Sequence, residues 1–132
     1  MVTELDYKIA TNLDVEKAVS ILEENLKEKG YGIVSRIDVS KILKEKNNQE
    51  IEPYLILDIC NPKHAGAAMD RHREIGLVLP CKISVHREGS VTEVSLYRPT
   101  TAIGIAGFDD MNELAEIVES DLKEIVGKVS AA

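Results

Sequence analysis

Two thiols, an asparagine and an imidazole are the residues whose types and spacing offer chemistry in this chain. Cys60 stands directly before Asn61-Pro62, where an apolar run stops, and Cys81 follows Pro80 at the start of another. A thiol just ahead of a helix N-terminus meets unpaired N–H groups and the positive end of the helix dipole, which favour the thiolate. Asn61 is a strong N-cap type and Pro62 suits the first helical position, so a helix is predicted to begin there. That start reads either as a ligand or anion site or as an ordinary cap. Cysteines 21 residues apart fit no zinc-ribbon spacing, so no metal is assigned and any cofactor stays unknown. His86 shares strand parity with Lys82 and Ser84 and, across a turn, with Glu93, Ser95 and Tyr97. Together they form a polar sheet face that reads as a binding surface or as a solvated one. No dinucleotide fingerprint, Walker-type phosphate loop, HExxH or GxSxG accompanies them.

These residues need a scaffold, and the hydrophobic pattern supplies one. Leu5, Tyr7 and Ile9 alternate with polar neighbours, predicting a half-buried strand. Asp14 caps a helix running to Lys29 and stopped by Gly30. A strand over 31–37 and a short helix over 39–46 follow. Leu55-Ile56-Leu57 is apolar on both faces, which suits a central strand. The helix begun at Pro62 extends to Ile75 in this reading. Residues 81–87 and 91–98 form a hairpin around Glu88-Gly89-Ser90. After Pro99, residues 101–107 read as one more strand, with Ile103 and Ile105 inward. Asp109 or Asp110 caps a long final helix with Leu114, Val118, Leu122 and Ile125 on its apolar face. By alternation Cys60 points away from Leu55, Leu57 and Ile59, whereas Cys81 shares the inward face of Ile83 and Val85.

At 132 residues, the chain reads as one α+β domain over 1–132. The expected architecture is a two-layer sandwich, a mostly antiparallel sheet with helices on one face. The net charge of −7 and the lack of a basic stripe argue against nucleic acid as a partner. No apolar run reaches the ~20 residues of a membrane helix, and MVTELDYKIA lacks a signal-peptide pattern, so a cytoplasmic location is expected.

With the residues laid out, the chain resembles the Domain of Unknown Function 302 family. The resemblance rests on Cys60-Asn61-Pro62, on Ala65 and Ala68, and on Gly76-Leu77 followed by Leu79-Pro80-Cys81. Gly30-Tyr31-Gly32 and Ile37-Asp38-Val39 fit it as well. It spans roughly residues 5–126. It implies a TATA-binding-protein-like fold of β-α-β(4)-α type with inserted helices, and a homodimer; it implies no settled activity. The expected function is a homodimeric module for a small-molecule ligand, sited at Cys60, Asn61, Pro62, Pro80, Cys81 and His86. Two alternatives stay open: a thiol-dependent redox or soft-metal protein using Cys60 and Cys81, and a purely structural interaction domain.

Overall fold

A computed structural model describes residues 1–130. Five strands and five α-helices lie among the described residues: β1 (Asp6–Thr11), α1 (Val15–Glu28), β2 (Gly32–Asp38), α2 (Val39–Asn47), β3 (Tyr54–Cys60), α3 (Pro62–Arg71), β4 (Cys81–Glu88), β5 (Val91–Tyr97), α4 (Pro99–Ala106) and α5 (Asn112–Ser130). Short 3-10 turns cover Arg73–Leu77 and Asp109–Met111. The sheet is antiparallel throughout, in the order β1-β5-β4-β3-β2. The topology is β-α-β4-α with α2, α3 and α4 inserted, as the family resemblance implied.

Helix α1 shows how local signals set the frame. Asp14 Oδ1 accepts from Lys17 N at 2.8 Å, closing the N-terminus. Val15, Ala18, Val19, Leu22 and Leu26 then fall on one buried stripe. At the other end Gly30 takes φ +83°, a left-handed conformation that glycine adopts freely. Tyr31 N donates to Leu26 O and Gly30 N to Lys27 O, the paired bonds of a Schellman stop. The stop delivers Tyr31, itself buried, to the end of the sheet.

Across the layer, α5 buries Val118, Leu122, Ile125, Val126 and Val129. Both helices pack on Leu55, Leu57 and Ile59 of β3, Ile83 and Val85 of β4, and Val94 and Leu96 of β5. Each such side chain contributes about 1.5–3 kcal/mol on burial. A second, smaller cluster joins Ala68, Ile75, Ile103, Met111 and Ala115 beyond the end of β3 and β4.

Three expected boundaries differ from the structure. Residues 101–107 are no strand; they lie in α4 and its C-terminal stop. Pro99 at the helix start and Gly107 at φ +83° are its punctuation. Adjacent Ala102 and Ile103 are both buried while Ile105 is 79% exposed, a helical pattern that Ile103/Ile105 alternation had mimicked. Helix α3 stops at Arg71 because His72 turns extended, and Ile75 is reached through the 3-10 turn. The final helix begins at Asn112, after the turn that Asp109 and Asp110 open.

Candidate functional site

The register Ile59↔Cys81 sets the end of β3 beside the start of β4. Between these points the chain leaves the sheet through α3, passes the 3-10 turn and returns at Pro80 by a cis Leu79-Pro80 bond. The excursion does not close tightly against α4 and α5. It leaves a cavity of about 360 Å³ whose walls come from both ends of the excursion, from α4 and from α5. Ala65, Ala68 and Met69 of α3 line it together with Ile103, Met111 and Val118. The excursion is also tied across: His72 Nε2 lies 2.8 Å from Asp110 Oδ1, and its ring rests on Phe108 with centroids 4.9 Å apart.

Four of the six residues singled out in the sequence line this cavity: Cys60, Asn61, Pro80 and Cys81. Pro62 is exposed at the start of α3 and does not line it. His86 is on the other sheet face and pairs with Tyr54, five register positions from Cys81, about 17 Å at ~3.4 Å per residue. It belongs to a separate locality. Cys60 lines the cavity although alternation points it away from Ile59, because it is the last residue of β3 and the chain turns there.

Few polar atoms reach the cavity, and most are already committed. Asn61 Oδ1 accepts from Lys63 N at 3.1 Å and His64 N at 3.2 Å, so the side chain caps α3. Its amide NH2 group makes no hydrogen bond among the described residues. Tyr31 OH donates to Asp121 Oδ2 at 2.9 Å, and burial followed by that carboxylate pushes its ionisation well upward, so the phenol stays neutral. Burial, and next the neighbouring Cys60, push the Cys81 thiol up to about 11. Cys81 is therefore a protonated, apolar wall atom near neutral pH. His64, which sequence reading did not single out, lines the cavity and tilts towards the Tyr31 ring at 6.2 Å. Its position early in α3, next to the Asn61 cap, was the signal that could have placed it there.

The α4–α5 wall is held by a buried carboxylate. Glu119 of α5 accepts from Thr100 N at 3.1 Å and Thr100 Oγ1 at 2.6 Å, and pairs with Arg98 Nε at 3.1 Å and Lys123 Nζ at 3.0 Å. Burial opposes its charge, but these hydrogen bonds outweigh burial and hold the carboxyl at about 2. Sequence reading missed this group, since Arg98 and Thr100 lie outside α5 and only Lys123, one turn on, shares its helix.

The family described as Domain of unknown function DUF302 matches residues 7–129. The chain belongs to this family. Among solved structures it is similar to the crystal structure of an uncharacterized conserved DUF302 protein from Bacillus stearothermophilus. That likeness has 27% identity and a TM-score of 0.90, covering 96% of this chain and 99% of the other. No curated protein matches the chain. Family membership thus carries the fold, and the chemistry has to come from the cavity itself. No described helix is long and apolar enough to cross a membrane.

Proposed function

We propose that this DUF302 chain is a binding module for a small, neutral, mainly apolar molecule held in the cavity between α3, α4 and α5. The observation that carries this reading is the wall itself: about 360 Å³ lined mainly by aliphatic, thioether and thiol groups beside Tyr31, Asn61 and His64, with no aspartate, glutamate, lysine or arginine among them. Ligand sites are commonly apolar concavities of ~300–1,000 Å³ with a few placed polar groups. At ~30 Å³ per water-sized unit, the space takes on the order of a dozen non-hydrogen atoms. The Asn61 amide and the His64 ring stand at one end, so a single hydrogen-bonding group on the ligand would be oriented towards them. An ionised ligand would meet no lysine, arginine or carboxylate on this wall and would lose its hydration.

The raised Cys81 thiol counts against thiolate chemistry, which places the binding reading above a redox or soft-metal one. In this reading the module works as a homodimer in the cytoplasm. The exposed small residues Gly66 and Ala67 of α3 support the pairing, since a Cβ at Gly66 would meet nothing within 4 Å and a second backbone could approach there.

Ligand-observed NMR with neutral aromatics (toluene, naphthalene, indole) tests the cavity directly. Saturable binding that Ala65→Leu abolishes is the expected result; identical signals from both proteins sink the reading. Sedimentation showing only a monomer at micromolar concentration removes the dimer.

A further inference from the structure

The β4–β5 hairpin carries a second constellation, on the sheet face away from α1 and α5. His86 and Glu93 are cross-strand partners, and Glu88, two residues beyond His86, returns to the same face. His86 Nε2 lies 3.3 Å from Glu88 Oε2 and 3.3 Å from Glu93 Oε1. One donor atom from each of the three residues lies within 4.8 Å of the other two. A zinc ion holds nitrogen and oxygen ligands at ~2.0–2.1 Å, and tetrahedral placement sets such atoms about 3.3 Å apart. The donor spacing therefore already matches an edge of that polyhedron.

The imidazole is also aimed before any ion arrives. Its ring stacks on Tyr54, with centroids 4.9 Å apart and planes 20° from parallel. Nδ1 is buried and makes no hydrogen bond among the described residues, so the ring's polar contacts there go through Nε2 to the two glutamates. Charge is short at this spot. Two carboxylates converge on one imidazole, and Lys8 approaches only the far oxygen of Glu93, at 3.8 Å. Glu119, by contrast, has an arginine and a lysine to itself.

We propose that His86, Glu88 and Glu93 bind one divalent transition-metal ion of the zinc class. One nitrogen and two oxygens supply three ligands and leave a fourth position for water. An imidazole in the set disfavours calcium and magnesium, which take oxygen ligands. The usual orienting hydrogen bond behind a metal-bound histidine is replaced here by the Tyr54 stack. Neither thiol takes part.

Titrating the full chain with zinc chloride against a fluorescent zinc chelator near neutral pH tests this. The expected result is one ion per chain, with affinity reduced about tenfold or more in His86→Gln, Glu93→Gln and Glu88→Gln. Glu88 is a surface residue, so its variant keeps the fold, which circular dichroism checks. The Cys60→Ser/Cys81→Ser double variant should bind as the wild type does. Absence of saturable uptake, unchanged affinity in the folded Glu88→Gln protein, or loss of binding in the cysteine variant would each overturn the proposal.

Discussion

The two apolar clusters of this molecule are built from the same kinds of side chain and end in different states. In the larger one, α1 and α5 lie along β3, β4 and β5, and Leu22, Leu57, Ile83, Leu96 and Leu122 are wholly buried with neighbours on every side. In the smaller one, α3 and α4 are short, Ala65, Ala68 and Ala115 stand where larger residues would fill space, and a cavity remains. Long amphipathic helices on a regular sheet can close to interior density. Short helices joined by 3-10 turns present small residues at irregular angles and do not. The difference teaches that one part of the chain is given to stability and another keeps room.

Paired truncations test that contrast most strongly. Leu57→Ala should cost about 3–5 kcal/mol in urea unfolding, because it opens a new void in a filled core. Ile75→Ala should cost clearly less, since one side of this buried side chain already borders the cavity. Equal losses would break the comparison. Glu119 bolts the cavity wall to the larger layer, and Glu119→Gln should cost about 1–3 kcal/mol by leaving Arg98 and Thr100 poorly matched. Its folded pKa lies below the ordinary 4.5, so the stability it supplies is complete above that value. That part is lost as pH falls from 4.5 towards about 2, and the variant should show less acid dependence across this window. A urea midpoint measured against pH decides it; parallel curves for both proteins would show the carboxylate to be idle.

Filling the cavity gives a smaller effect. Ala65→Leu should move stability by no more than about 1 kcal/mol in either direction, as space is available. A large loss, read by thermal unfolding, would mean that the wall is packed after all. The subtlest test concerns the thiols. Cys60→Ser leaves only Cys81, whose thiol near 11 should be alkylated by iodoacetamide much more slowly at pH 8 than Cys60 in the Cys81→Ser protein. Similar rates would show Cys81 to be open to solvent.

Much of the larger layer was legible because its signals are local and periodic. Asp14, the Val15-to-Leu26 stripe and Gly30 define α1 without reference to anything else. Strand alternation likewise placed Leu55, Leu57, Ile83 and Val85 correctly inward. The cavity region was legible only in part. Asn61-Pro62 marked the start of α3, yet His64 and Tyr31 meet across the fold, which no spacing records. Thr101 to Gly107 misled because the exposed side of this short helix also carries apolar residues, Ile105 and Ala106, leaving little amphipathic contrast, so two isoleucines two apart passed for a strand. His86 and Glu93 were correctly set on one face, but Glu88 was read as turn, and with it went the third ligand of the hairpin cluster.

The excursion from Asn61 to Pro80 starts and finishes beside a single rung of one ladder, Ile59 against Cys81. Such a segment behaves as a door hung on two adjacent hinges, with His72 on Asp110 as its catch. It can swing without any strand changing partner, because the sheet is already complete beneath it. Amide hydrogens over 63–77 should therefore exchange sooner than those of β3 and β4, through openings that leave the sheet intact. Openings of that kind would uncouple entry to the cavity from global unfolding, so that a guest would pass a threshold far lower than the stability of the protein that houses it.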